Sequence, residues 1–421
     1  MQIPRDHSVY GISPLRSGAQ RCPEEVRGAV PDYCAECRIR LEFSEQGENW
    51  RADWTWRLGR PHSLVMPSHD ASTPVRVGLL GYGLAGSAFH APLIVATPAL
   101  RLDAIVTRDS ARRAQAEHDH PRARVVETAD RLWEMARDLD LVVVATPNRT
   151  HAPLTREALE AGIAVVVDKP FAPTPQEGRP LIEEARRRQL MLTVFQNRRW
   201  DGDFLTVRRL LADDALGTIF RFESRFDRWR PTPKPGWRER SDPHEAGGLL
   251  YDLGSHLIDQ ALLLFGPVAT VYAELDRRRE GADVDDDVFV ALTHASGIRS
   301  HLAMTTIAAQ PRARFHVLGS RAAYVKYGPE VQEEALRRGD RADRPGWGEE
   351  PRERWGTLGA GDDVRPVPTE AGKYPAFYAA VAAAIRDGGP PPVDPIDAVN
   401  GLEIIAAAQR SFAESRVVEL T

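Results

Sequence analysis

Two stretches of the chain carry side chains whose types and spacing suit proton transfer beside a bound ligand. Lys169 closely follows an apolar run, 163–167, which is typical of a buried strand. Asp252 and His256 are four residues apart, a spacing that places both on one face of a helix. A histidine can hold or release a proton near neutrality. By itself, an Asp/His pair at this spacing is also typical of surface pairs and of buried structural histidines.

A third stretch predicts how a phosphate group would be held. The sequence Gly81-Tyr82-Gly83-Leu84-Ala85-Gly86 follows the apolar run Val75–Leu80 and precedes a helical pattern. In such a strand–turn–helix unit the first glycine permits the turn, the second lets the backbone approach a pyrophosphate, and the third lets helix and strand pack closely. The positive end of the helix dipole then faces the anion. The motif alone is weak evidence, so the neighbouring elements must agree with it.

Predicted strands alternate with predicted helices from residue 71 to residue 195. Continuous apolar runs are typical of parallel strands that helices cover on both faces, and the alternation predicts a doubly wound, Rossmann-type parallel sheet. The predicted strands are Val75–Leu80, Leu100–Val106, a short one that begins at Arg124, Leu139–Ala145, Ile163–Val167 and Met191–Phe195. Lys169 and the glycine turn then lie at the carboxyl ends of strands, where such sheets bind their ligands.

The pattern beyond residue 195 is that of an α+β domain, predicted over residues 196–373. Short apolar segments and a Ser296-Gly297 turn predict an open, mostly antiparallel sheet. Residues 328–368 are polar and are predicted to form loops. The last segment, 374–421, contains two amphipathic helices that we expect to pack back on the Rossmann domain.

Residues 1–70 show neither a helical nor a strand period, and we expect a disordered extension there. Cys22, Cys34 and Cys37 could supply zinc ligands. Structural zinc sites usually pair two cysteine knuckles, however, and this segment contains one. The segment is therefore left out of the functional argument.

Composition excludes several classes of protein. The 421 residues carry a formal charge of −5, which argues against a basic nucleic-acid-binding surface. No apolar run approaches the roughly 20 residues that span a bilayer, and the first residues lack the apolar core of a secretion signal. All three cysteines precede Arg38, so disulfides cannot hold the rest of the chain together, and we expect a cytoplasmic protein.

The end of the second predicted strand indicates which dinucleotide the glycine turn would hold. An acid there binds the ribose 2′-hydroxyl, whereas an arginine accommodates a 2′-phosphate. Asp103 lies near the beginning of the strand, but Thr107 and Arg108 follow its end. We therefore expect NADP. NAD stays open as the alternative, because Asp109 and Arg112 lie close by and Arg108 could equally be a solvated loop residue.

Together, the glycine turn, the Lys-Pro pair and the Asp-x-x-x-His helix resemble the Gfo/Idh/MocA family of nicotinamide-dependent sugar and polyol dehydrogenases. The resemblance extends from about residue 75 to residue 420. In that family the lysine motif is usually Glu-Lys-Pro, so Asp168-Lys169-Pro170 is a conservative departure that keeps the lysine. The branch that contains NADP-dependent scyllo-inositol dehydrogenases is the most similar, over the stretches 196–204, 228–231, 237–239 and 251–260.

The resemblance implies roles for individual residues. His256 is expected to act as general base, Lys169 to stabilise the alkoxide, and Asp252 to fix the imidazole or hold a substrate hydroxyl. The expected cofactor-binding residues are Gly81, Tyr82, Gly83, Leu84, Ala85, Gly86, Thr107, Arg108, Thr146, Pro147, Asn148, His151, Asp168 and Lys169. The expected substrate-binding residues are Asn197, Arg198, Trp229 and Tyr251. No metal is expected; the acidic run Asp283–Asp287 suggests one on charge alone, but it opens a strand.

The implied activity is NAD(P)-dependent interconversion of a secondary alcohol and a ketone on a cyclic polyol or sugar. Two alternatives stay open: a reductase of another carbonyl or imine compound on the same fold, and an NADP-sensing regulator without catalysis. Regulators of this kind commonly lose the lysine or the histidine, and both are present here. We expect a small-molecule substrate, no nucleic-acid or membrane partner, and a homodimer or homotetramer.

Overall fold

The computed structural model describes residues 73–234 and 236–420. The expected extension over residues 1–70, with the zinc alternative at Cys22, Cys34 and Cys37, lies outside the described residues. Within the described ranges, no helix combines the length and the apolar character that crossing a bilayer requires.

The first half of the described chain forms a six-stranded parallel sheet. Its strands are β1 Val75–Leu80, β2 Leu100–Val106, β3 Arg124–Val126, β4 Leu141–Val144, β5 Ala164–Asp168 and β6 Leu192–Phe195. Their order in space is β3-β2-β1-β4-β5-β6, and all neighbours run parallel. Every residue of β4 and β6 is buried, because helices cover both faces. The doubly wound sheet that the sequence predicts is confirmed, and its strand order reverses beside β1, the position at which such sheets bind ligands.

The helices of this half connect the strands, and several of them begin at polar capping residues. They are α1 Ala91–Val95, α2 Ser110–Asp119, α3 Ala129–Trp133, α4 His151–Glu160 and α5 Pro175–Arg188, and a π-helical turn, Gly86–His90, precedes α1. The Asp109 carboxylate accepts a hydrogen bond from the Arg112 amide at the beginning of α2. Thr174 caps α5 in the same way through its hydroxyl. Such caps satisfy amides that have no partner inside the helix.

The second half contains a nine-stranded sheet. Its strands are β7 Ile219–Asp227, β8 Val268–Asp276, β9 Asp287–His294, β10 Arg299–Thr305, β11 Phe315–Gly319, β12 Ala323–Lys326, β13 Gly356–Ala360, β14 Asp363–Val367 and β15 Val418–Glu419. The order is β14-β13-β12-β11-β7-β10-β9-β8-β15, and β7 with β10 is the one parallel pair among these strands. The sheet is therefore mixed but mostly antiparallel, which confirms the predicted fold class. Buried and partly exposed residues alternate along β9, so one face packs on helices and the other faces outward.

Part of this sheet comes from a segment that the sequence predicted to be loop. Within residues 328–368 the chain forms β13, β14 and a short helix, α8 Gln332–Arg337. Only the last residue of β14 is buried, because β14 lies at the edge of the sheet. The polar and apolar alternation that identifies a half-buried strand is therefore missing from its sequence.

The last two helices, α9 Tyr374–Asp387 and α10 Pro395–Glu414, contact both halves. On α9, Phe377 packs against Phe195 of β6, with ring centroids 5.0 Å apart. The following α10 packs on α5 of the parallel-sheet half and on β8 of the other. These helices thus cover the line along which the two halves meet.

Buried ion pairs hold the two halves together along that same boundary. Arg199, just after β6, donates to both oxygens of Asp259 at 2.8 and 2.6 Å and to Asp397 of α10 at 2.9 Å. Asp259 belongs to α7 Ser255–Phe265, which follows α6 Gly202–Ala212 in the chain and packs on β7 and β10. Because a buried carboxylate needs a charged partner, this contact fixes α7 against the end of β6.

Candidate active site

A cavity of about 1130 Å³ lies between the carboxyl ends of the parallel strands and the second half of the chain. The glycine turn lies in one part of its wall, and Lys169, Asp252 and His256 line it as well. Residues that are 170 positions apart in the sequence thus share one enclosed space. This is the combination of phosphate-binding turn and proton-transfer side chains that the sequence predicts.

The three glycines of the turn have different surroundings. Gly81 has φ +98°, and a Cβ there would lie 2.5 Å from the Ala145 carbonyl oxygen at the end of β4. A Cβ on Gly86 would lie 2.0 Å from the Gly81 oxygen. At Gly83, in contrast, the nearest atom to such a Cβ is in Arg112, 3.7 Å away. Two glycines therefore permit close packing, and the third keeps the backbone open to the cavity.

The end of β2 presents basic rather than acidic side chains. Thr107, Arg108 and Arg112 line the cavity. Asp103 lies in the middle of β2 and holds Arg101 in a bidentate pair at 2.6 and 2.8 Å. Asp109 also lines the cavity, but its carboxylate caps α2.

The end of β4 supplies Thr146, Pro147 and Asn148 to the cavity wall. The Asn148 amide donates to the Glu245 carbonyl at 3.0 Å, which ties this strand end to the second half of the chain. His151 is buried below the wall, with its ring nitrogens 2.8 Å from the Pro170 oxygen and 2.9 Å from the Thr146 oxygen. Burial lowers the pKa of His151. The expected cofactor contact of His151 is thus replaced by a structural role that joins the ends of β4 and β5.

Lys169 crosses the cavity to the helical segment of the other half that carries Asp252. Its Nζ donates to the Asp252 carbonyl at 2.5 Å and to Asp252 Oδ1 at 3.0 Å. The carboxylate of Asp168, one residue earlier, accepts from the Lys169 amide at 2.8 Å and also lines the cavity. Although burial opposes it, the positive charge of Lys169, with those of Arg238 and Arg228, holds the pKa of Asp252 well below its usual range. Asp252 is therefore a carboxylate, paired with an ammonium group.

His256 lies one turn further along, on α7. The residues before it, Leu250–Gly254, form a π-helical turn that continues into α7. The imidazole is 4% exposed, and its Nδ1 has no hydrogen-bond partner among the described residues. Burial lowers the pKa of His256 well below 6.5, and the charges of Lys169 and Arg198 lower it further. The side chain is therefore a neutral imidazole that can accept a proton.

The structure brings two of the four expected substrate residues to the cavity. Asn197 and Arg198 line it, and Arg198 is held by Asp201 and Glu333. Trp229 is 59% exposed and lies on the outer side of its strand extension, where its backbone bridges to Ile307.

Tyr251 also lies outside the cavity. Its hydroxyl donates to the Pro173 carbonyl at 3.1 Å, and the side chain lines a separate depression. The reason is its position on the helix: Tyr251 is adjacent to Asp252 in sequence, so the two side chains point to different sides.

Several cavity residues were not predicted from the sequence. The 3₁₀ turn Trp237–Glu239 lines the cavity, as do the preceding arginines at 228 and 230. Their loop, rich in Pro, Arg and Trp, shows no helical or strand period, so spacing gave no signal. His90 is also new to the site: its Nδ1 is 2.6 Å from the Tyr378 hydroxyl and its Nε2 3.8 Å from Asp168. Its place soon after the glycine turn was the available signal.

Comparison with known proteins agrees with this geometry. Residues 75–196 match the family described as "Oxidoreductase family, NAD-binding Rossmann fold", and residues 208–420 match "Oxidoreductase family, C-terminal alpha/beta domain". The uncharacterised oxidoreductase YdgJ of Escherichia coli is 42% identical over 336 residues, which are 79% of this chain and 95% of YdgJ. The scyllo-inositol 2-dehydrogenase (NADP(+)) IolW of Bacillus subtilis is 35% identical over 352 residues, 82% of this chain and 96% of IolW.

A solved structure shows the same architecture. An oxidoreductase of Yersinia pestis superposes with a TM-score of 0.78 at 39% identity, covering 84% of this chain and 99% of that protein. Both halves of the fold are thus shared with it, including the segments that carry Lys169 and His256.

The glycine turn gives a matched pair of substitutions. Gly83→Ala should leave the thermal midpoint within about 1 °C, because the added methyl meets nothing closer than 3.7 Å, yet weaken NADPH binding by about tenfold or more. Gly81→Ala should lower the midpoint by several degrees, since it adds strain at φ +98° and a collision. Thermal unfolding and NADPH fluorescence titration measure both. Unchanged NADPH affinity in the Gly83→Ala protein would contradict the assigned role of the turn.

Proposed function

The chain belongs to the Gfo/Idh/MocA family of oxidoreductases, and on this premise we propose that it is an NADP-dependent dehydrogenase that interconverts a secondary alcohol and a ketone on a cyclic polyol or sugar. One observation carries the proposal. Lys169, from the parallel sheet, and Asp252 with His256, from the second half, line the same cavity as the glycine turn. A regulator without catalysis would have no use for an ammonium group and a neutral imidazole at this place.

Each of these side chains has a defined task in the proposed reaction. In alcohol oxidation, the neutral His256 accepts the hydroxyl proton, for which its lowered pKa leaves it free near neutrality. Lys169 donates a hydrogen bond to the same oxygen and stabilises the negative charge that develops there. Asp252 holds the Lys169 ammonium at 3.0 Å and so keeps it in place before substrate arrives. In the reducing direction, the histidine returns the proton to the carbonyl oxygen.

The residues present fit a nicotinamide dinucleotide. The Gly81 and Gly86 positions are so tightly packed that a Cβ at either would collide, whereas Gly83 leaves the turn open toward the cavity. The first amides of the following helix have no acceptors inside it, as a pyrophosphate site requires. When bound, the nicotinamide ring supplies hydride acceptance or donation at its C4 carbon.

Three observations support NADP over NAD. Arg108 and Arg112 line the cavity at the end of β2, where a 2′-phosphate would lie. The acids nearby have other partners, since Asp103 holds Arg101 and Asp109 caps α2. The relative IolW is an NADP(+) enzyme by its name.

A panel assay tests the proposed reaction and its main residue together. We expect NADP-dependent oxidation of at least one inositol isomer or common sugar. The absorbance of the reduced cofactor measures this reaction. Lys169→Ala should lower kcat by about 100-fold or more, because the alkoxide loses its charged donor. The exposed Lys373 is the matched control, and Lys373→Ala should keep full turnover.

Two outcomes would contradict the proposal. Full turnover by the Lys169→Ala enzyme would remove Lys169 from the reaction. Tight NADPH binding without turnover on any polyol, sugar or keto-sugar would favour the non-catalytic regulator, whereas turnover on unrelated carbonyl or imine compounds alone would favour the reductase alternative.

The pKa of His256 sets the expected pH dependence. Because burial depresses this pKa well below 6.5, the imidazole stays neutral as the pH falls through 6.5. The kcat/KM for alcohol oxidation should therefore stay level through that pH and decline only at lower pH, in a profile measured between about pH 5 and pH 9. The histidine acts as base only when it is unprotonated. A decline in kcat/KM on the acid side that is centred at pH 6.5 or above would therefore exclude a His256 base with a lowered pKa. Return of activity on readjustment to neutral pH controls for unfolding.

Arg108 tests the choice of cofactor. Arg108→Ala should raise the KM for NADP by about 10- to 100-fold and leave the KM for NAD nearly unchanged. This factor corresponds to the loss of one hydrogen bond to a charged group. The control is Arg122→Ala, because Arg122 is exposed and does not line the cavity. An equal change for both dinucleotides would show that Arg108 does not contact a 2′-phosphate.

A further inference from the structure

The acidic run Asp283–Asp287 was considered above as a metal site on charge alone. The structure places it beside the active-site cavity, just before and at the beginning of β9. Within the described part of the chain, no group of His, Cys, Asp and Glu is arranged to hold a metal ion. Two of the carboxylates, those of Asp285 and Asp286, instead accept hydrogen bonds from backbone amides and, in the case of Asp286, from an arginine of the cavity wall.

Asp285 caps the helix that carries the reacting side chains. Its Oδ2 accepts a hydrogen bond from the Leu250 amide at 2.7 Å, and its backbone oxygen accepts from the Leu249 amide at 3.0 Å. The helix has no capping side chain of its own at this end. Asp252 lies two residues after Leu250, and His256 lies six residues after Leu250. A carboxylate from a remote segment therefore fixes where this helix begins.

The fit around Asp285 is tight. Gly248, at the entry to the helix, has φ +91°, and a Cβ there would lie 2.1 Å from Asp285 Oδ1. The carboxylate is thus pressed against the backbone, with no space for a larger residue at Gly248. Burial raises the pKa of Asp285 to about 6, although hydrogen bonds from backbone amides oppose this.

Asp286 holds another part of the cavity wall. It accepts from the amides of Arg278 and Arg279 at 2.7 and 3.1 Å and from the Arg279 side chain at 2.9 Å. The same guanidinium donates to Glu239 at 2.8 Å. Glu239 ends the turn that carries Trp237 into the cavity. Neighbouring carboxylates just before β9 thus hold two separate parts of the site.

We infer that Asp285 is a positioning residue for Asp252 and His256, and that Asp286 positions the Trp237–Glu239 wall through Arg279. The inference rests on the proposed function for its kinetic part. Catalysis requires the base and the charged donor to be held within a few tenths of an ångström, and a displacement of about 1 Å costs about 100-fold in rate. The capped turn Leu250–Gly254 continues into α7, which is largely buried, so loss of the cap should shift this turn and the beginning of α7 and leave the remainder of α7 in place.

The test compares two aspartates of the same run. Asp285→Ala removes the cap, whereas Asp283→Ala is the matched control, because Asp283 is exposed and its carboxylate has no partner among the described residues. We expect the Asp285→Ala enzyme to lose about 10- to 100-fold in kcat, with KM and the NADPH dissociation constant within about twofold of wild type. Its thermal midpoint should fall by about 2–4 °C, as for a lost cap. The Asp283→Ala enzyme should match wild type throughout.

Hydrogen exchange supplies a readout that does not depend on turnover. The amides of Leu249 and Leu250 should exchange faster in the Asp285→Ala protein, in a peptide that spans residues 248–258, while peptides of the parallel sheet stay unchanged. Asp285→Asn is the second variant, which keeps the shape and one acceptor oxygen, and it should show an intermediate kcat. Asp285→Asn takes the place of Asp285→Ala in all of these measurements if the Asp285→Ala protein does not fold.

Each possible result decides the inference. Equal kcat and equal exchange in the Asp285 and Asp283 variants would overturn it. A parallel loss of NADPH affinity, KM and overall stability would also overturn it, because that pattern marks a general structural residue. If wild type shows no turnover on any compound, the proposed function fails; faster exchange confined to residues 248–258 would then still support the positioning role, and unchanged exchange would exclude it.

Discussion

The contact between Lys169 and Asp252 is the interaction on which the rest of the site depends. It joins a strand end of the parallel sheet to the helix of the second half, at an Nζ–Oδ1 distance of 3.0 Å. Both groups are partly withdrawn from water, so each needs the other as its compensating charge. The two halves must therefore meet in one register for the charges to pair. In that register His256 also lines the cavity, a single helical turn beyond Asp252.

Other contacts along the boundary between the two halves also hold them together. Arg199 binds Asp259 of α7 and Asp397 of α10, and Asn148 donates to the backbone at Glu245. Each contact joins a strand end of the parallel sheet to the second half. The cavity is thus bordered by polar contacts that are specific in direction, while apolar packing, which includes one cluster with residues of both halves, supplies most of the cohesion.

The parts of the site that could be predicted from sequence are those that local chemistry determines. The glycine turn was predictable because φ +98° at Gly81 excludes other residues, and the Asp252/His256 pair because helical spacing fixes relative orientation. The fold class followed from the alternation of apolar runs. Trp229 and Tyr251 were expected in the pocket because they belong to motifs that resemble the family. Both lie outside the cavity, because the direction of a side chain depends on how its strand extension or helix is rotated. The helix formers Glu333–Arg337 were a local signal for α8 that the polar character of the segment obscured, whereas the contacts of Asp285 had no local signal because they lie far away in sequence.

The helix α9 has a consequence for how the chain acquires its structure during synthesis. Tyr374, Phe377 and Tyr378 belong to the same apolar cluster as Val75 and Leu79 of the first strand. When the ribosome has completed the parallel strands, that face of the sheet still lacks its cover, which comes nearly 180 residues later. Exposed apolar surface of this kind favours association with other chains. Until the last helices emerge, the nascent first half therefore exposes apolar surface that the finished protein buries.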